Sequence, residues 1–185
     1  MAKCWLAIGI KNILICYIAD FLFKISSLCY NIKGDNMNKK KLLTFMIVLI
    51  TLLFLEQYIK YLVVNNNYFI NIINNILSIN FEKNYGIAFS LFENNNLITI
   101  IVSCILIIYL IYILCNEFVK NKKYTNFMNI TFSILFAGII SNLIDRIIRG
   151  FVVDYIDLSF FAVFNLADIF ITYGVFVLLI KFIKE

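Results

Sequence analysis

Residues 138–168 read GIISNLIDRIIRGFVVDYIDLSFFAVFNLAD. The stretch crosses one of the most apolar parts of an apolar chain, yet it holds Asn142, Asp145, Arg146, Asp154, Asn165 and Asp168. A charge at the centre of a bilayer costs about 2.5–3.5 kcal/mol on insertion scales. Charges kept at that cost serve ion passage, subunit pairing or catalysis.

The 185-residue chain around this stretch is 63% hydrophobic and 17% aromatic and has no proline. Soluble domains average about 45–50% apolar residues, so a polytopic membrane protein with little soluble mass is expected. The absence of histidine excludes Ser-His and Cys-His catalysis and any histidine metal site. Cys4, Cys16, Cys29, Cys104 and Cys115 show no CxxC spacing and read as inert buried thiols. No metal ligand set emerges.

Hydropathy places spans at about 42–62, 97–115, 127–148 and 164–180, each near the ~20 residues that a bilayer core requires. They form a core of residues 37–185. Residues 1–36 stand apart: their apolar run 5–23 is broken by Lys11 and Asp20, and no A-x-A cleavage site follows. Met37 then opens MNKKKLL, a basic start before a good helix, so 1–36 is expected to be a dispensable extension. Residues 63–96 are asparagine-rich and partly alternating, with short strands expected at 68–70 and 76–81. Inside this region NYGIAFSLF, residues 84–92, sets Gly86 where a turn or a close backbone approach would need it. Residues 149–164 read as a linker.

The basic residues orient the core. Lys39, Lys40 and Lys41 precede the first span, Lys120, Lys122 and Lys123 separate the second and third, and Lys181 and Lys184 follow the fourth. By the positive-inside rule both ends of the core face the cytoplasm and the two polar connections face outward. The net charge of +5 is thereby accounted for, and no nucleic-acid footprint remains.

This orientation gathers the polar groups. Glu56 and Lys60, an i,i+4 pair, lie at the outer end of span one. Asn142, Asp145 and Arg146 lie at the outer end of span three, Asn165 and Asp168 at the outer start of span four, and Asp154 in the connection between them. Helical spacing puts Gly138, Asn142, Asp145 and Arg149 on one face, and Asn165, Asp168 and Thr172 on another. Ser133, Ala137 and Ser141 form a small-residue stripe that admits a neighbouring helix.

Four acids fall between residues 145 and 168. Asp145 stands next to Arg146 and reads as a structural carboxylate. Asp157 reads as a solvated one. Asp154 and Asp168 sit in apolar frames, where desolvation raises a carboxyl pKa, and two such groups brought together would share a proton. A proton-sharing pair suits amide hydrolysis, one member activating water and the other protonating the carbonyl oxygen. Two rivals stay open at this point. A small proton- or ion-coupled carrier would want polar groups toward both faces, and an assembly subunit would tolerate Asn at positions 154 and 168.

The motifs GIISNLIDRIIRGFVVDYI and FNLAD, with NYGIAFS upstream, resemble those of the bacterial lipoprotein signal peptidases (signal peptidase II), over about residues 38–184. The resemblance implies a mainly α membrane fold of four transmembrane helices, with a small extracytoplasmic β-cradle from 63–96 and a short outer helix and loop from 149–164. It implies an inner-membrane aspartic endopeptidase, without cofactor, that cuts diacylglyceryl-modified prolipoproteins before the lipidated cysteine. The catalytic aspartates would be Asp154 and Asp168. Supporting positions would be Asn84, Gly86, Asn142, Asp145, Arg146, Asn165 and Ala167. Glu56 and Lys60 fall on the family's D-Q-x-x-K pattern, where this chain has Glu in place of Asp. Partners implied are the lipidated substrate, membrane lipid and a globomycin-type inhibitor.

Overall fold

A computed structural model of the chain describes residues 39–66, 69–86, 96–120 and 125–184. The expected extension 1–36 lies outside the described residues. In chain order the elements are α1 (Lys39–Asn66), β1 (Phe69–Ile73), β2 (Leu77–Asn84), α2 (Asn96–Lys120), α3 (Asn126–Arg149), β3 (Val152–Leu158) and α4 (Leu166–Lys184). All four helices are long and apolar enough to cross a membrane. A helix satisfies its backbone polar groups internally, which is what an apolar chain in lipid must do. The helices overrun the apolar runs by a few residues, because helical hydrogen bonding continues into the interface after the apolar side chains stop. The exception is the start of α4, which waits for a cap at Asn165.

Helix α3 organises the bundle. It is largely buried by its neighbours, whereas the other three helices present most of their surface outward. It packs against α1, α2 and α4. Phe132, Leu135, Phe136 and Ile140 of α3 form the core with Phe45 and Leu49 of α1, Leu110 of α2 and Leu178 of α4. Outward-facing apolar side chains such as Ile47 and Phe54 of α1, Ile108 of α2 and Phe176 of α4 give the exterior a lipid-compatible surface. Cys104 belongs to this exterior and is exposed rather than buried.

Lipid offers no hydrophobic drive for helix association, so close backbone approach and interhelical hydrogen bonds have to supply it. Both occur along α3. The expected small-residue stripe is buried at Ser133, Ala137 and Ser141. A Cβ on Gly138 would lie 2.5 Å from the Ala167 carbonyl oxygen, so only glycine lets α4 start where it does. At the other end of α3, Asn129 Nδ2 donates to the Lys41 carbonyl oxygen at 2.8 Å, tying α3 to the start of α1.

The helix ends are specified locally. Thr125 caps α3, its hydroxyl accepting from the Met128 N–H at 3.2 Å. Gly150 ends it in the left-handed region at φ 83, and its N–H returns to the Arg146 carbonyl oxygen. That reversal directs the chain into β3. The sheet is antiparallel in the order β1-β2-β3, with Asn75 at φ 59 in the β1–β2 turn. Strands are therefore present near both positions expected in 63–96, β2 running on to Asn84. Residues 149–164 differ from the outer helix and loop that the resemblance implied. Their first half is β3, because Val152, Val153, Tyr155 and Ile156 make an apolar, β-branched run that completes the sheet over α1 and α3.

The Gly138 contact yields a test. Gly138→Ala is expected to cost about 1–3 kcal/mol, the range for overpacking, read as a lower Tm of the detergent-solubilised protein.

Candidate active site

Lys60 has no exposed surface. Its Nζ lies 2.8 Å from Asp145 Oδ2 and 3.3 Å from Glu56 Oε1, and donates to Asn142 Oδ1 at 2.8 Å. A buried ammonium survives only with such partners. The lysine thus draws one turn of α1 and two turns of α3 into one network. Gln57 extends it, donating from Nε2 to Ser141 Oγ at 2.9 Å and accepting from Arg149 Nη1 at 3.3 Å. Asp145 takes its second ion pair from Arg149 and also accepts the Val153 N–H at 3.2 Å, which fixes the start of β3.

Asp145 stands next to Arg146 in sequence, but its ion pair along α3 is with Arg149, which lies one turn on and on the same face. Arg146 instead donates from Nη2 to the Gly86 carbonyl oxygen at 3.1 Å. It also stands within electrostatic range of Asp168, Asp154 and Asp145. The Gly86 N–H in turn donates to Asn84 Oδ1 at 2.9 Å, closing a small turn after β2.

Asp154 and Asp168 come from different elements and meet around one residue, Asn165. Asn165 Nδ2 donates to Asp154 Oδ1 at 2.6 Å. Asn165 is also the cap of α4: its Oδ1 accepts the Asp168 N–H at 2.9 Å, while its own N–H donates to Asp168 Oδ2 at 3.1 Å. This reciprocal arrangement is a capping box, with Asp at the third helical position. The same residue that starts the helix therefore fixes both carboxyls. The remaining oxygens are also held, Asp154 Oδ2 by Asn84 Nδ2 at 2.9 Å and Asp168 Oδ1 by Asn142 Nδ2 at 2.9 Å.

The two acids differ in exposure. Asp154 is 2% exposed, and Asp168 is partly open. Burial first, and then the negative charge of Asp168, push the Asp154 carboxyl up to about 7. Near neutral pH the pair can thus hold a single proton. Asp157 takes no part. Three residues along a strand, it points to the opposite face from Asp154, and it accepts from Ser78 Oγ at 3.1 Å.

A model of the signal peptidase (SPase) II family matches residues 46–184. The chain belongs to the signal peptidase II family. It is a peptidase and a multi-pass bacterial membrane protein. A lipoprotein signal peptidase of Caldicellulosiruptor bescii is 43% identical over 116 residues, covering 63% of this chain and 73% of that one. One from Streptococcus agalactiae serotype Ia is 36% identical over 148 residues, covering 75% and 91%. A bacterial membrane enzyme solved by the in meso method superposes with a TM-score of 0.67 at 30% identity, covering 76% of this chain and 88% of that one. A second one does so with a TM-score of 0.65.

Within this family member, Glu56, Lys60, Asn84, Gly86, Asn142, Asp145, Arg146, Asn165 and Ala167 all lie in the network that surrounds Asp154 and Asp168. Ala167 enters through its backbone, donating its N–H to Glu56 Oε1 at 3.3 Å. Sequence reasoning missed Tyr155 and gave Gln57 no role. Gln57 carried a signal in the E-Q-x-x-K spacing, one residue round the helix from Glu56. Tyr155 carried none, since its partner Glu56 is 99 residues away in the chain.

The lysine gives the sharpest test of this network. Lys60→Met leaves Glu56 and Asp145 as buried acids short of their shared cation. It is expected to cost about 3–5 kcal/mol, the penalty for breaking a buried pair, seen as lower yield and a lower Tm in detergent.

Proposed function

We propose that the chain removes signal peptides from diacylglyceryl-modified prolipoproteins, cutting before the lipidated cysteine, with Asp154 and Asp168 as its catalytic pair. The observation that carries this reading is the placement of two carboxyls on one asparagine, at one end of a transmembrane bundle. The lipoprotein signal peptidases to which the chain is similar supply the substrate class.

Asp168, the more open of the two, takes a proton from water as that water attacks the peptide carbonyl carbon. Asp154, buried and neutral, gives its proton to the carbonyl oxygen, producing a tetrahedral diol. Collapse of the diol breaks the C–N bond: the proton gained by Asp168 passes to the leaving amine nitrogen, and one diol hydroxyl returns its proton to Asp154. Water is consumed, a carboxylic acid and an amine are released, and no metal or covalent enzyme intermediate is called for. Asn165, Asn142 and Asn84 keep both carboxyls oriented throughout.

We further read the active-site end as the outer one. Lys40 and Lys41 begin α1 and Lys181 and Lys184 end α4, at the opposite end of the bundle from the polar network. By the positive-inside rule that end faces the cytoplasm. The pair then lies at the outer leaflet, where a diacylglyceryl-anchored substrate arrives laterally from lipid. A globomycin-type cyclic peptide is expected to block the site. The carrier reading is not favoured, since among the described residues the buried charges cluster at one end only.

Purified protein incubated with a diacylglyceryl-modified prolipoprotein tests the proposal by a gel shift of the product. Asp154→Asn and Asp168→Asn are each expected to lower turnover by about 10²–10⁴-fold, the usual worth of a general acid or base, with membrane insertion unchanged. Turnover of more than about a tenth of wild type in either would remove that residue from the pair. Asp157→Asn is expected to match wild type.

The proton on Asp154 sets the pH dependence. Its folded-state value of about 7 lies above the ordinary 3.8, so the neutral form is held below pH about 7 and lost above it. Asp154 has lost the proton it donates on the alkaline side, and kcat/KM should fall tenfold per pH unit there. A profile that stays flat from pH 6 to 9 would contradict a proton-donating Asp154.

A further inference from the structure

Helix α4 begins with N–H groups that have no partner inside the helix, as every α-helix does. Its first three are met by side chains from three different elements. The Asp168 N–H goes to Asn165 Oδ1 at 2.9 Å, within the capping box. The Ala167 N–H goes to Glu56 Oε1 of α1 at 3.3 Å, and the Leu166 N–H to the Tyr155 hydroxyl of β3 at 3.3 Å. The Tyr155 hydroxyl then donates to Glu56 Oε2 at 2.7 Å. Phenol and carboxylate thus form a short linked pair that grips two successive backbone N–H groups.

Both side chains are enclosed: Glu56 has no exposed surface and Tyr155 is 4% exposed. Tyr155 adjoins Asp154 on β3, and Ala167 adjoins Asp168 on α4. The pair therefore joins the strand that carries one acid to the helix turn that carries the other. On the far side of that turn, Gly138 presses against the Ala167 carbonyl oxygen. Ala167 is thus engaged at both its N–H and its carbonyl oxygen.

We propose that Glu56 and Tyr155 are positioning residues for catalysis, acting together to hold Asp168 in register with Asp154. The inference rests on the reading of those aspartates as the catalytic pair. A misplacement of about 1 Å in a catalytic group can cost 10²-fold in rate, so two long hydrogen bonds at the helix start are enough to matter. Neither residue touches the substrate, so the effect belongs in kcat and not in KM.

The experiment measures kcat and KM on a diacylglyceryl-modified prolipoprotein for Tyr155→Phe, Glu56→Asp and the double variant, alongside Asp154→Asn and Asp168→Asn. Tyr155→Phe removes one oxygen and keeps the ring in place. Glu56→Asp keeps the charge that faces Lys60 but is too short to reach both Tyr155 and Ala167. Each single change should lower kcat by about tenfold, with KM within twofold of wild type. The double variant should be no slower than the slower single, because both changes break one device. Multiplicative losses in the double, a raised KM with unchanged kcat, or wild-type kcat in Tyr155→Phe would each overturn the inference. A lower Tm with wild-type kcat in the folded fraction would do the same, since it marks a purely structural role. If the two Asn variants still cleave, the catalytic reading falls and this inference with it. If they are inactive while Tyr155→Phe matches wild type, only the positioning role falls.

Discussion

A lysine ammonium fully removed from solvent is the constraint on which the site depends. Ion burial costs several kcal/mol even after relaxation, and the attraction of a partner returns that only with good geometry. Lys60 meets the condition by bringing Glu56, Asp145 and Asn142 to one point. Buried pairs of this kind are poor evidence for net stability. What they enforce is arrangement, because any shift of α1 against α3 leaves a charge unmatched. Each of the three partners then holds something further: Asp145 the start of β3, Asn142 the Asp168 carboxyl, and Glu56 the start of α4. Neither aspartate is among the three partners of Lys60, yet β3 and α4, which carry Asp154 and Asp168, are both referred to it.

The same low-dielectric surroundings serve the acids. A carboxyl deep in the protein prefers to be neutral, and Asp154 accordingly sits at about 7, where proton donation is useful. An apolar helix bundle supplies this desolvation without a large soluble domain. The cost is that every polar group must find a partner inside the fold, and no buried side-chain nitrogen or oxygen among the described residues lacks one. Asparagines dominate the partners at the pair. Asn84, Asn142 and Asn165 orient the carboxyls by hydrogen bonding without adding charge.

Much of this was legible in the sequence, for identifiable reasons. The four helices announce themselves through hydropathy, and Glu56, Asn142, Asp145, Asn165 and Asp168 stand out because charge and amide are expensive in an apolar run. Helical periodicity put Asp145 and Arg149 on one face, and the structure pairs them. Adjacency was less informative: Arg146 follows Asp145 in sequence, and its hydrogen bond goes to the Gly86 carbonyl oxygen. The third strand was also hidden. Val152 to Leu158 has both faces covered at its start, so it lacks the alternation that identifies a half-buried strand. Pairings across the chain, such as Tyr155 with Glu56 and Asn84 with Asp154, leave no local trace at all.

The one departure from the family's D-Q-x-x-K pattern acquires a physical meaning in this setting. Glu in place of Asp keeps the charge and adds a methylene. Glu56 is fully enclosed, and its two oxygens are taken by Lys60, the Ala167 N–H and the Tyr155 hydroxyl. No part of it is left for a substrate. The extra methylene acts as reach, letting one carboxylate pair with the lysine of its own helix and still span to β3 and α4. A shorter acid at the same place would have to give up one of those contacts or draw the three elements closer together. The bulk of Tyr155 on β3 opposes the second course. Residue 56 and residue 155 thus set the spacing between strand and helix jointly, and a change at either is a change in the distance between Asp154 and Asp168.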